Sequence, residues 1–282
     1  MMRRASWRFA FGAASLLVLM LAAAPLAGAQ DSDQTDVDLC NGKERGAPQR
    51  QIEGCTALLK SAENPTSIAV IYNNRGNAYL AAEQYDLAIK DYDEAIKSNP
   101  AYVKAINGRG VAYEKKGDYD HAIQDFDAAI KIAPNYANAF ANRAETYEKK
   151  GDFQSAAADL NTAARMQPTS SILQNELCWT RAMVGDLAAA LSDCNSAVQA
   201  TSNDAAPYDS RGLVYLKMSQ WDSAIDDYSA ALKINPKLAS GLYGRGFAEL
   251  KKGESKSASA DIAAAKSIDP NIAEKFARYG VK

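Results

Sequence analysis

The chain has 282 residues, 47% of them apolar and 23% charged, with 32 basic and 34 acidic side chains. That balance can bury a core and excludes a disordered polyelectrolyte. The formal net charge is −2, and no basic block stands out, so the clustered positive footprint of a nucleic-acid binder is missing.

The N-terminus is unlike the rest. Arg3, Arg4 and Arg8 precede an apolar run that ends in Ala27-Gly28-Ala29. This order is that of a secretory signal peptide spanning residues 1–29, cut after Ala29. A membrane anchor is the alternative, since Phe9 to Leu26 is near the lower length limit for a span. The run ends in small residues with no basic stop-transfer cluster, so no stable membrane insertion is expected after cleavage. No cysteine sits at the junction for lipid attachment. Residues 30–35 read as a flexible polar tail, and QIEGCTALLKS at 51–61 as a helix.

From residue 66 the chain is periodic. Pro100, Pro134, Pro168, Pro236 and Pro270 are spaced by 34 residues or twice that, with Ser202 in the vacant place. Six copies start near Ala69, Val103, Ala137, Ser171, Ala205 and Ala239. The strings KKGD at 115–118 and 149–152 each end one helix and start another. Gly117 and Gly151 suit the left-handed residue after a helix, the lysines favour its negative end, and Asp118 and Asp152 can cap the next helix. Ala122, Phe126 and Ala129 then share one helical face.

The second copy reads Ile106-x-x-Arg109-Gly110-x-x-Tyr113, then Ala122-x-x-x-Phe126, then Pro134. The fifth repeats it with Tyr208, Gly212, Tyr215, Ala224, Tyr228 and Pro236. This resembles the tetratricopeptide repeat, a 34-residue helix-turn-helix unit. The resemblance implies an all-α, right-handed superhelix of about six repeats over residues 66–270. A degenerate leading repeat would lie within 30–65 and a capping helix at 271–282, where Ile272, Phe276 and Tyr279 would cover the last repeat. Arg stands where the family pattern has Leu in five copies, and the fourth copy lacks its first aromatic and its Pro. The signal peptide, a leading cysteine pair and NNRG in the first copy resemble exported bacterial members, which implies the periplasm or secretion.

In that fold the eighth and twenty-fourth positions face each other. They hold small and large residues respectively, except that the fourth copy has Cys178 and Cys194. Cys55 aligns to a twenty-fourth position, with Cys40 fifteen residues earlier. The resemblance therefore implies disulfides Cys40–Cys55 and Cys178–Cys194, which suits an exported chain with an even cysteine count. Buried free thiols are the alternative.

Enzyme chemistry finds no foothold. His121 is the one histidine and has no Cys or His at metal-ligand spacing. No nucleophile turn or phosphate loop is present, so no catalytic residue, metal or cofactor is expected. The recurring Asp91, Asp125, Asp159, Asp193, Asp227 and Asp261 match Arg75, Arg109, Arg143, Arg211 and Arg245, with Arg181 in the fourth copy. An Arg–Asp ladder bridging helices or repeats is expected, because Arg donates in a fork.

The family lines its concave face with the first helix of each copy. Here that places Asn73, Asn74, Asn77, Lys104, Asn107, Asn138, Asn142 and Asn175 in the groove of copies one to four. Carboxamides both donate and accept, so they can bind an extended backbone. A more apolar surface is expected from Asp209, Leu213, Tyr243 and Phe247 in copies five and six. The resulting expectation is an exported, non-enzymatic scaffold for an unidentified protein or peptide partner. The alternative is a self-assembling or stiffening subunit of an envelope complex.

Overall fold

The computed structural model describes residues 27–44, 47–201 and 203–281. The signal segment up to residue 26 lies outside the described residues. Among the described residues, fifteen helices run in chain order. A leading pair, α1 (Ala27–Cys40) and α2 (Pro48–Leu58), precedes six hairpins. These are α3 (Pro65–Ala81) with α4 (Tyr85–Ser98), α5 (Val103–Lys115) with α6 (Tyr119–Ile132), and α7 (Ala137–Lys150) with α8 (Phe153–Met166). They continue with α9 (Ser171–Val184) and α10 (Leu187–Ala200), α11 (Ala206–Lys217) and α12 (Trp221–Ile234), and α13 (Ala239–Lys252) and α14 (Ser255–Ile268). A short α15 (Ile272–Arg278) closes the chain.

The hairpin boundaries follow from local chemistry. Asn64 caps α3 through Thr66 N at 2.8 Å, with Pro65 just inside the helix. Asp118, Asp152 and Asp186 accept from the first turns of α6, α8 and α10. Gly117, Gly151, Gly185 and Gly253 have φ of +81°, +79°, +95° and +89°, the left-handed geometry that ends a helix. At the same place in copies one and five stand Glu83 and Ser219, both at φ 59°, where a side chain costs energy.

Packing is small against large. A Cβ added to Gly110 would lie 2.7 Å from the Phe126 ring, so only glycine lets α5 and α6 approach over that aromatic. Ala122, Phe126 and Ala129 are fully buried, and burying one such phenyl ring is worth about 1.5–3 kcal/mol. Consecutive helices pack throughout. The first helices of successive copies also touch, with α7 and α9 the least close, whereas the second helices do not pack on one another. The first helices therefore line the inner, concave side of the array.

Residues 30–35 differ from the expected flexible tail, since they continue α1. The helix packs along α2 and is tied to it by Cys40–Cys55 at its C-terminal end.

Candidate functional site

An arginine scaffold sets the inner helices in place. Arg109 Nε and Nη2 donate to Asp125 at 2.9 and 2.7 Å, joining α5 to α6, while Nη1 donates to Asp93 of the preceding copy at 2.6 Å. The same two-carboxylate grip recurs at Arg143, on Asp159 and Asp127. Arg75, Arg211 and Arg245 hold Asp91, Asp227 and Asp261 in the same forked way. Their third donors go to Thr56, Asn195 and Ser229 of the preceding copy. In copy four, Arg181 makes the equivalent reach from one turn later, to Asp193 at 2.5 Å and Asn161 at 3.1 Å. Aromatic rings flank the guanidinium where repeat positions four and eleven hold them, as with Tyr72 and Tyr79 around Arg75. Each arginine thus ties both helices of its copy and the copy before. The Asp125 bonds come first in holding Arg109 charged, above its ordinary range.

The structure brings some of the expected groove residues together. Asn73 is buried and donates to Asn74 at 3.3 Å, and Asn74 donates to Asn41 of the leading pair at 3.2 Å. Asn142 donates to the buried Asn107 at 3.0 Å, linking α7 to α5. Asn77 instead accepts from the Tyr92 hydroxyl at 2.7 Å and so supports the core. Lys104 and Asn138 stand exposed, and Asn175 is half-buried and apart. The Oδ1 atoms of Asn73 and Asn175 are buried without a hydrogen-bond partner.

A second group on the same face was missed. Lys149 contacts Glu114 and Glu145, Lys115 reaches Glu145 at 3.5 Å, and Thr180 donates to Glu148. Burial opposes charge on Lys149, but the two carboxylates outweigh it and keep its pKa above the ordinary range. Glu145, Glu148 and Glu176 border a hollow of about 120 Å³ between α7 and α9, beside Asn142. Burial first, then the charges of Glu148 and Glu145, push Glu176 up to about 7. The available signal was a scatter of glutamates at inner-face positions: position twelve in copies two and three (Glu114, Glu148), position nine in copy three (Glu145) and position six in copy four (Glu176). A wider hollow of about 410 Å³ lies at the N-terminal end, lined in part by Val37, Leu58, Val70, Ile71 and Asn74.

Farther along, the inner face is covered. Phe276 packs on Tyr243 with ring centroids 4.7 Å apart, and Tyr279 meets Trp179 edge-on at 5.8 Å. Lys217 Nζ donates to the Tyr279 carbonyl at 2.7 Å. Ile272 and Phe276 join the last repeat's core, as expected of a cap, but the residues after them run back over copies five and four.

The cysteines pair as Cys40–Cys55 and Cys178–Cys194, with Cα atoms 4.6 and 5.2 Å apart, within ordinary disulfide reach. Such bonds suit a non-cytoplasmic, oxidising compartment. His121 hydrogen-bonds its capping residue Asp118 at 2.7 Å and stacks on Tyr113. Among the described residues no acidic, His or Cys cluster could hold a metal, and no helix is long and apolar enough to cross a membrane.

Stacked helical hairpins held by a periodic arginine scaffold define an α-solenoid with an inner face built for contact. Two family profiles match: "Tetratricopeptide repeat" over residues 73–137 and 142–206, and "TPR repeat" over 212–253. The chain belongs to the tetratricopeptide-repeat family, whose general role is to hold protein or peptide partners and which is generally non-catalytic. Among curated proteins no sequence matches. Solved structures share the fold. A tetratricopeptide repeat protein from Parabacteroides merdae is 17% identical with a TM-score of 0.65, over 89% of this chain and 99% of that one. YrrB, described as a TPR protein with an unusual peptide-binding site, is 18% identical with a TM-score of 0.54, over 67% and 96%. The Cut9–Hcn1 hetero-tetramer of the APC/C is 19% identical with a TM-score of 0.66 over 88% of this chain, which spans 49% of that longer one.

Proposed function

We propose that the protein is an exported, non-enzymatic scaffold that binds an extended peptide segment of a partner protein on the inner face of copies one to three. The observation that carries this reading is the arrangement of its carboxamides. Asn74 and Asn142 are each held by a neighbouring asparagine, while Asn73, next to Asn74, keeps a buried unpaired acceptor. A carboxamide can make up to four hydrogen bonds, so a row fixed by one or two apiece retains capacity for a peptide backbone without being free to collapse. Lys104 and Asn138 project from the same helices into solvent. The family's general role and the peptide-binding site named for YrrB agree with this use of the groove. The leader read at residues 1–29 and the two disulfides support export to the periplasm or beyond.

Asn74→Ala combined with Asn142→Ala tests the site. Partner capture from crosslinked envelope extract should fall at least tenfold, about 1.4 kcal/mol, the scale of one or two net hydrogen bonds. Helicity should stay unchanged. Undiminished capture by the double variant removes the groove from the account.

A further inference from the structure

The end of the chain does more than shield the last repeat. A solenoid cap has to cover the open face of the terminal hairpin, and Ile272, buried among the residues of α13 and α14, does so. The following residues take a different path. Tyr279 reaches Trp179, two copies back, and its carbonyl lies on Lys217 in copy five. Phe276 is buried beside Tyr243 of copy six. Trp179, Lys217 and Tyr243 all belong to first helices, so the segment lies along the inner face.

Its own geometry is that of a docked ligand. Gly280 takes φ +84°, and Val281 N donates back to Phe276 O at 3.1 Å. This closing turn brings Val281 against Phe276, and both are buried. Three side chains thus enter the groove as one unit: Phe276, Tyr279 three residues on, and Val281. Glu274, Ala277, Arg278 and Gly280 remain exposed. A seven-residue helix is far too short to persist by itself, so groove contacts hold it folded. One further tether is Lys275 to Asp269 at 2.6 Å, next to Pro270, where the segment leaves α14.

We propose that the inner face of copies four to six is a second binding surface, for a short partner helix bearing an aromatic pair three residues apart and an aliphatic residue two further on, which the chain's own residues 272–281 occupy as a displaceable ligand. The surface is independent of the carboxamide row in copies one to three. Its specificity elements are the Trp179 and Tyr243 rings and the Lys217 ammonium, which reads a backbone carbonyl at the end of the incoming helix. Because the occupant is tethered, it competes at an effective concentration in the millimolar range, so a partner helix binds by displacing it and with reduced apparent affinity.

The probe is a synthetic, fluorescently labelled peptide of residues 271–282. The full-length chain with Phe276→Ala and Tyr279→Ala, whose own segment lacks its anchors, should bind this peptide at least tenfold more tightly than wild type by fluorescence anisotropy. Adding Trp179→Ala to that variant should abolish the gain, with far-ultraviolet circular dichroism unchanged. Equal binding by wild type and double variant, or binding by neither, overturns the proposal. So does a wild-type dimer that exchanges the segment between copies, for then a second copy is the occupant. If the double variant loses helicity, wild type decides the matter. Unlabelled peptide titrated into isotopically labelled protein should move the Tyr279 and Val281 amide resonances to released positions, and unmoved resonances at saturating peptide overturn the proposal.

Discussion

Asp125→Ala removes one carboxylate from the arginine scaffold. In the intact protein Arg109 grips Asp125 with two donors, at 2.9 and 2.7 Å, and Asp93 with a third. The Asp125 side chain is 9% exposed and that of Arg109 25%. Hydrogen bonds to charged groups contribute about 1.5–3 kcal/mol each. The net cost is less than the sum of the two, because the alanine also removes Asp125's desolvation penalty and Arg109 keeps Asp93 and some water. A net loss of about 2–4 kcal/mol follows, below the cost of breaking a fully buried ion pair. For a chain of this size each kcal/mol moves the melting midpoint by about 2–4 °C, so a drop of roughly 4–16 °C is expected. The control is Asp120→Ala. Asp120 sits on the same helix, is 79% exposed, and makes only a solvent-exposed ion pair with Lys150 at 2.6 Å, so its loss should move the midpoint little. Thermal melts followed by circular dichroism under identical buffer give both numbers. Equal shifts would refute the idea that the ladder supports the stack.

The other expectations concern junctions and termini. In natively exported protein, mass spectrometry should find Gln30 as the first residue and non-reducing peptide maps should join Cys40 to Cys55 and Cys178 to Cys194; four alkylatable thiols would contradict this. Replacing Cys178 and Cys194 together by Ala should cost about 3 kcal/mol, the loop-closure value for a loop of about fifteen residues, read as a lower urea midpoint. Glu83→Gly and Ser219→Gly should each stabilise by about 0.5–1 kcal/mol, since left-handed backbone strains any side chain while glycine brings its own entropy cost; a lower melting midpoint would contradict the strain. Glu176, pushed up to about 7, binds its proton more tightly folded than unfolded. Its contribution is therefore complete below the unfolded value of 4.5 and lost as pH rises through about 7. Glu176→Gln should lose less stability than wild type between pH 5 and pH 8, read as a smaller fall in melting midpoint.

The periodic parts of this molecule were legible because they repeat. Arg109 and Asp125 are sixteen residues apart, as are Arg75 and Asp91, and a constant spacing across copies reports a constant contact. The second grip of each arginine, on Asp93, Asp127 or Asn195 of the copy before, was less visible because repeat position twenty-five varies in chemistry. The groove was legible only as a surface. That Asn77 bonds Tyr92 while Asn142 bonds Asn107 depends on which carboxamides meet across copies, and one-copy periodicity carries no such information. The path of Phe276 and Tyr279 was illegible for a related reason. Their spacing marks an apolar helical face, but whether it covers the end of the stack or its inner side is decided by Trp179 and Tyr243, far away in the chain. Residues 30–35 read as a tail because all six are polar and carry no apolar helical face, yet they lie within α1.

The central claim is that a partner lies on the inner face of copies one to three. A photo-crosslinking residue placed at Asn138, at Lys104, or at Asp120 on a second helix, in protein exported to the envelope, tests it most directly. The account predicts a discrete crosslinked partner from positions 138 and 104 and none from 120. Crosslinks from position 120 with none from 138 or 104 would contradict it and move the function to the outer face.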